Sequence, residues 1–146
     1  MKLSTRGRYG VRLMLDLALR QGNGPVLLRE IAQRQEISEK YLWQLINPLK
    51  AAGLIKSIRG AHGGYLLGKR PEEVNLRQIL SVLEGPLCLV DCVEHPSSCD
   101  RSPACIAHDV WTEAAQGILK VLESMTLDKM VEGHFKKTDS FAGYNI

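Results

Sequence analysis

The sequence predicts a mainly α-helical fold with one short β-hairpin near its middle. Apolar residues recur every three to four positions in several segments, which is the period of an amphipathic helix. Residues 54–67 instead form two short apolar runs around a glycine-rich turn, which is the pattern of a hairpin. With 146 residues, the chain is long enough for one core and too short for two large domains.

Three helices are predicted within the first 53 residues. The first runs from Thr5 to about Arg20, where a Gly-Asn-Gly-Pro sequence stops it, and a short second helix follows. Ser38 is suited to cap the N-terminus of the third helix, and Gly53 is suited to the left-handed position that follows its last turn. Two helices, a tight turn and a capped helix make this segment a helix-turn-helix candidate.

The hairpin follows the third helix directly, as the wing of a winged helix-turn-helix does. Leu54–Arg59 is strand-like, the sequence Gly-Ala-His-Gly-Gly forms the turn, and Tyr65–Leu67 returns as the second strand. At the tip, Arg59 is expected to enter a minor groove or meet phosphates, and the alternative is a solvated charge. The turn lacks the Gly-Lys-Ser/Thr ending and the following helix of a phosphate-binding loop, which argues against a nucleotide site.

The two halves of the chain differ in charge. Residues 1–77 hold 14 Lys/Arg against 6 Asp/Glu, a net charge of +8, whereas residues 78–146 hold 5 against 10, a net charge of −5. A basic half suits a polyanion, so double-stranded DNA is the predicted partner, read as an imperfect palindrome. The predicted DNA contacts are Thr5, Ser38, Lys40, Tyr41, Gln44, Arg59, Gly60, His62, Gly63 and Gly64.

Three cysteines and a histidine fall within seventeen residues, with the spacing C-x6-C-x5-C-x2-H. Thiolate and imidazole are ligands of zinc and of iron–sulfur clusters, and the intervening Pro, Ser and Asp residues predict a loop that folds around a metal. Structural disulfides are the first alternative, but the chain begins without an apolar signal segment, which favours a reducing cytoplasm. Structural zinc is the second alternative, although its sites usually contain a tighter pair of cysteines.

Three side chains are candidates for the fourth metal ligand. Cys88 lies in the apolar run Leu-Cys-Leu-Val, and we interpret it as a core residue. His108 follows Cys105 by three residues, so both would project from one face of a helix that begins near Cys105. His108 is therefore preferred, with His95 as the reserve.

The C-terminal half predicts a dimerisation arm. Asn75 opens a short helix with a capping box, and a Gly-Pro pair ends it at residue 85. After the cysteine loop, an apolar stripe with a three-four rhythm predicts a long helix that packs on a second copy across a twofold axis. The predicted interface residues are Val110, Trp111, Ala114, Ile118, Leu122 and Met125. The predicted domains are 1–84, which binds DNA, 85–108, the cluster loop, 109–132, the dimerisation helix and a short following helix, and 133–146, a polar mobile tail.

Four motifs taken in order resemble one known family. They are KLSTRGRYGVRLMLDLA, LREIAQRQEISEKYL, RGAHGGYLLG and the cysteine loop, and the resemblance covers residues 1–132. The chain resembles the iron–sulfur-cluster regulators of the Rrf2 family of bacterial winged-helix transcription factors. The resemblance implies a homodimer that holds a [2Fe–2S] cluster through Cys92, Cys99, Cys105 and His108 and represses genes of cluster assembly. It also implies that the assembly machinery donates the cluster.

Two departures and three alternatives accompany this resemblance. The first cysteine gap is one residue longer than is usual, and Trp43 stands where an acidic residue is common, so the DNA preference is expected to differ. A sibling group senses nitric oxide with a [4Fe–4S] cluster and an acidic N-terminal ligand, where this chain has Arg6 and Arg8. A zinc-stabilised repressor is another alternative. An enzyme is not expected, because the remaining histidines are scattered without a nucleophile, and no segment is apolar enough to span a membrane.

Overall fold

The computed structural model describes residues 1–144. The helices are α1 (Thr5–Leu19), α2 (Leu28–Gln35), α3 (Glu39–Ala51), α4 (Leu76–Glu84), α5 (Asp91–Glu94), α6 (Ile106–Ser124) and α7 (Leu127–Tyr144). The strands are β1 (Ile55–Ile58) and β2 (Gly64–Leu67), and short 3-10 turns occupy Pro71–Glu73, Pro96–Ser98 and Ser102–Ala104. The fold is therefore mainly helical with one hairpin, as the sequence predicts.

Local capping explains where the first helices begin and end. The Ser38 hydroxyl accepts a hydrogen bond from the Tyr41 N–H at 3.1 Å, which caps α3. Gly53 follows α3 with a φ of +77°, a conformation that L side chains rarely adopt. Asn75 and Gln78 form the predicted capping box at α4, with reciprocal bonds of 2.9 and 3.0 Å. These predictions from single residues are confirmed.

The hairpin is anchored to the helices by a third short segment. β1 and β2 pair antiparallel, with Ile55 opposite Leu67 and Ile58 opposite Gly64. Val26, just before α2, exchanges backbone hydrogen bonds with Tyr65 at 2.8 and 2.9 Å. The hairpin is therefore attached to the helix-turn-helix by these hydrogen bonds as well as by the chain at its two ends.

One core unites α1–α4 with the hairpin and the start of α7. Every one of its largest members is at most 2% exposed. These members are Leu13, Met14, Ile31, Leu42, Leu45, Ile46, Leu49, Ile55, Val74, Ile79, Leu80 and Leu127. Because α4 and α7 supply part of this core, the cysteine loop that follows α4 starts from a rigid base.

The structure corrects the predicted tail. The sequence predicts a short helix and then a polar mobile tail from residue 133, whereas α7 is one helix from Leu127 to Tyr144. Leu127 is buried, and Met130 and Val131 pack against the core. Packing of this first part stabilises the helix, and Gly133 and Gly143 then lie inside it, although glycine is a weak helix former. Residues 145 and 146 lie outside the described range.

No helix within residues 1–144 is both long enough and apolar enough to cross a membrane.

Candidate nucleic-acid interface and cysteine loop

The exposed face of α3 carries most of the predicted helix contacts. Lys40 and Gln44 are exposed on α3, and Ser38 is exposed immediately before it. Tyr41 is half-buried, and its ring meets the edge of Tyr9 from α1 with centroids 5.8 Å apart and planes at 86°. The first two turns of α3 thus combine exposed polar side chains with one aromatic ring held against α1.

Thr5, the first residue of α1, is exposed. Its hydroxyl accepts a hydrogen bond from Nη2 of Arg8 at 3.4 Å. This places a hydroxyl and a guanidinium side by side at the amino end of α1, where the helix dipole is positive. Such an end favours an anion such as a phosphate.

The tip of the hairpin is exposed and conformationally unusual. Arg59, Gly60 and His62 are exposed, and Gly60 has a φ of +112°. Gly63 and Gly64 have reasons within the fold to be glycine. A Cβ on Gly63 would lie 2.2 Å from the Ile58 carbonyl oxygen, and one on Gly64 would lie 2.5 Å from the Val26 carbonyl oxygen. Close backbone packing accounts for these two glycines before any contact with DNA is invoked.

An exposed tryptophan on α3 is absent from the predicted contact set. Trp43 is 51% exposed and lies between Lys40 and Gln44 in sequence. A large apolar side chain on an otherwise polar helix face is a feature of binding surfaces. The sequence alone could have predicted that Trp43 is exposed, because it does not belong to the helical repeat of apolar residues that α3 buries.

The predicted metal ligands follow one another along the chain from α5 to the first turn of α6. Cys92 belongs to α5, Cys99 lies between two 3-10 turns, Cys105 immediately precedes α6, and His108 lies in the first turn of α6. All four cysteines of the chain are free thiols, and none forms a disulfide within residues 1–144. Over that same range, no three His, Cys, Asp or Glu side chains are gathered closely enough to hold a metal ion. Within the described residues, the four predicted donors are therefore not assembled around one point.

Two of these donors share a cavity. Cys99 and His108 both line an open cavity of about 620 Å³ beside the loop. Nδ1 of His108 is buried and has no hydrogen-bond partner in residues 1–144. A buried polar atom without a partner costs free energy, and metal coordination is one way to satisfy it. The chemistry of the donor set and this orphaned nitrogen fit a metal or cluster, and the separation of the thiols means that the loop must close around it.

Cys88 is not a core residue, contrary to the sequence interpretation. It is half-buried and lines a separate cavity of about 520 Å³ between α4 and α6. Burial, a hydrogen bond to Glu94 and the negative charge of that carboxylate raise the pKa of the Cys88 thiol. The Gly-Pro turn that ends α4 turns this apolar run away from the core, which hydrophobicity alone does not reveal.

The outer face of α6 presents an apolar stripe to solvent. Ala115 is buried against the chain's own helices, whereas Val110 is 51% and Val121 is 63% exposed. Ile118 and Leu122, both in the predicted interface, are half-buried. The side chains that form the stripe, at helical spacing, are Ile106, Val110, Ala114, Ile118, Val121 and Met125. Trp111 flanks this stripe at 45% exposed.

Comparison with known proteins gives consistent matches along the chain. Residues 3–133 match Rrf2, described as an iron-dependent transcriptional regulator. The chain is 45% identical over 130 residues to the HTH-type transcriptional regulator CymR of Bacillus subtilis (strain 168), which is 89% of each chain. It is 39% identical over 131 residues to the HTH-type transcriptional regulator IscR of Pectobacterium atrosepticum, which is 90% of this chain and 79% of that one.

Solved structures agree with the sequence matches. CymR (YrzC), the global cysteine regulator of B. subtilis, superimposes with a TM-score of 0.80 at 43% identity, covering 90% of this chain and 97% of that one. T. potens IscR superimposes with a TM-score of 0.76 at 42% identity, covering 92% and 88%. The three-helix segment with its hairpin is therefore a winged helix, and the chain belongs to the Rrf2 family of transcriptional regulators.

Proposed function

We propose that this regulator binds DNA as a homodimer and senses the supply of iron–sulfur clusters. In this proposal Cys92, Cys99, Cys105 and His108 hold a [2Fe–2S] cluster, and the loaded form represses genes of cluster assembly. The observation that carries the proposal is the buried, unpartnered Nδ1 of His108, a residue that lines one cavity together with Cys99.

The ligand set explains how loading would change the chain. When bound, the cluster supplies a centre that is labile to oxidation and iron shortage. Cysteines bind it as thiolates and histidine as neutral imidazole, so loading releases protons from the loop. Cys105 and His108 flank the first residues of α6, so closing the loop acts directly on the start of that helix.

The dimer is supported by the unpartnered face of α6. The stripe on α6 runs for nearly the whole helix and includes side chains at least half exposed. A stripe of this length on a helix that already packs its other face internally favours a second helix as its occupant. A twofold dimer would then present two winged helices to two half-sites.

A second candidate is a regulator that responds to cysteine availability. The similarity to CymR, described as the global cysteine regulator of B. subtilis, is at least as close as the similarity to IscR. In that case, the loop thiols would not need to gather around a metal. The cysteine-regulator hypothesis predicts colourless protein when it is isolated without oxygen.

The test is to purify the full chain anaerobically and record its visible spectrum, iron and acid-labile sulfide. Two irons and two sulfides per chain support the proposal. Four irons support the nitric-oxide-sensing alternative, and colourless protein with one zinc supports a zinc-stabilised repressor. Colourless, metal-free protein contradicts cluster sensing and favours the cysteine-responsive candidate.

A further inference from the structure

The last turn of α4 is fastened to the first turn of α1 by the carboxylate of Glu84. Oε1 of Glu84 accepts hydrogen bonds from the Ser4 backbone N–H at 3.0 Å and from the Ser4 hydroxyl at 2.6 Å, across 80 positions of sequence. Nε of Arg6 donates to the Leu83 carbonyl at 3.1 Å. Two successive residues of α4, Leu83 and Glu84, thus accept the hydrogen bonds that hold the amino end of α1.

Two glycines on α1 make this close approach possible. A Cβ on Gly7 would lie 2.2 Å from Oε1 of Glu84, and a Cβ on Gly10 would lie 1.9 Å from Cδ1 of Leu83. Both glycines are buried, and their spacing places them on one face of α1. They form a shallow groove that receives the last two side chains of α4.

The Glu84 side chain connects the amino end of α1, where DNA contacts are predicted, with the start of the cysteine loop. Ser4 caps α1 by accepting the Gly7 N–H at 3.2 Å, and Thr5, a proposed DNA contact, is the next residue. Glu84 is followed directly by Gly85, whose φ of +80° starts the path into the cysteine loop. A negative carboxylate at the amino end of a helix is also electrostatically favourable, which strengthens the attachment.

We propose that Glu84 is a positioning residue for DNA binding. It holds the first turn of α1 where Thr5 meets the DNA backbone, and it ties this turn to the root of the cysteine loop. The inference rests on the proposed function, because it requires the amino end of α1 to contact DNA. Glu84 acts through Ser4 and does not itself touch phosphate, which a carboxylate would repel.

Charge and position predict opposite effects when Glu84 is removed. Loss of one negative charge beside a polyanion raises affinity if Coulomb attraction alone decides, and added salt weakens the effect. Loss of position lowers affinity, because the contacts made by the first turn of α1 are no longer aligned. The sign of the change therefore distinguishes the two explanations.

The experiment measures binding of the full chain to a duplex that the unaltered protein has selected from random-sequence DNA. Glu84→Ala should lower affinity about tenfold, as expected for loss of an aligned contact. Glu84→Gln should recover most of it, because the amide oxygen accepts the same two Ser4 bonds. Glu84→Asp keeps the charge but shortens the reach, and it should behave like Glu84→Ala.

Ser4→Ala and Glu123→Ala are the companion variants. Ser4→Ala should lower affinity and add little to Glu84→Ala, because both remove one shared contact. Glu123 bonds Arg77 and joins α4 to α6, so Glu123→Ala removes the same charge and loosens α4 elsewhere. It should leave affinity within about twofold, because it does not touch the amino end of α1.

Unchanged or raised affinity in folded Glu84→Ala overturns the inference. If that variant does not fold, binding by Glu84→Asp as tight as that of the unaltered protein, together with tighter binding by Glu84→Gln, overturns it equally, because charge would then decide. A protein that selects no sequence from random DNA contradicts the proposed function itself. The two failures are therefore distinguishable.

Discussion

Arg34 holds the buried carboxylate of Asp16 through a two-point hydrogen bond. Nη2 of Arg34 donates to Oδ1 at 2.7 Å and Nε donates to Oδ2 at 3.0 Å, while Asp16 is only 1% exposed. Gln35 adds a third hydrogen bond to Oδ2 at 3.0 Å. Because Asp16 lies on α1 and these hydrogen-bond partners lie on α2, the pair joins α1 to α2.

Replacing Arg34 should destabilise the fold strongly. Arg34→Met leaves the Asp16 carboxylate buried with one hydrogen-bond partner, and because the Arg34 side chain is 30% exposed the cost is at the lower end for such a loss, about 2–3 kcal/mol. Urea denaturation followed by circular dichroism measures the free energy of unfolding. Arg29→Met, at an exposed position of the same helix, is the control and should cost less than about 0.5 kcal/mol. Equal effects of the two variants would contradict the importance of the pair.

The same pair predicts acid sensitivity. Burial acts to raise the pKa of Asp16, but hydrogen bonds from Arg34 and Gln35 and the charges of Arg34 and Arg20 outweigh it and lower the pKa. A carboxyl whose pKa is lowered on folding stabilises the protein above its unfolded pKa, near about 4, and loses this contribution as the pH falls through the folded value. The free energy of unfolding should decrease as the pH is lowered from about 6 to about 2. Asp16→Asn should make this decrease smaller.

Sequence reasoning succeeded where the cause of a structure is local. Ser38, Gly53 and Asn75 act on residues within one turn, so each could be read without knowing the fold. Asp16 could not, because its charge is compatible with burial only beside Arg34, 18 positions away. Gly7 and Gly10 are similar, since the side chains that require them belong to α4.

The cysteine loop shows a different limit. Its donors are recognisable from spacing, but thiols that are deprotonated to bind a metal repel one another until the metal is present, so the chain alone has no reason to gather them. Their arrangement would come from the metal and from the energy of binding it, which is often coupled to folding. The sequence therefore indicates ligand types here more firmly than it indicates geometry.

Arg59 offers a test of the wing. Arg59→Ala should cost about 1–3 kcal/mol on the selected duplex and reduce the slope of log affinity against log salt by about 1. Arg70→Ala removes a cation just beyond the hairpin that is already paired with Glu72 and Glu73, and it is the control. Fluorescence anisotropy across a salt series gives both quantities. Identical slopes for the two variants would remove Arg59 from the DNA contacts.

The stripe on α6 predicts which substitutions would separate the proposed dimer. Val110→Asp with Val121→Asp places two charges in any apolar seam, with a cost on the order of several kcal/mol, and should yield a folded monomer. Both side chains are at least half exposed in the single chain, so the fold itself should survive. Gln116→Asp adds a charge to another face of α6 as the control. Sedimentation that shows an intact dimer for the double variant would exclude this face.

Comparison of His108 with Cys88 tests the fourth ligand of the proposed cluster. His108 has a buried, unpartnered nitrogen and lines a cavity together with Cys99, whereas Cys88 lines the separate cavity beside α4. Alanine at Cys92, Cys99 or Cys105 should abolish a stable cluster, because each of these variants removes a thiolate.

His108→Ala should weaken the cluster and alter its visible spectrum, and Cys88→Ala should leave that spectrum nearly unchanged. His95→Ala, at an exposed position within the loop, is the matched histidine control. If Cys88→Ala bleaches the anaerobic protein and His108→Ala does not, all ligands are cysteines and the assignment of His108 is wrong.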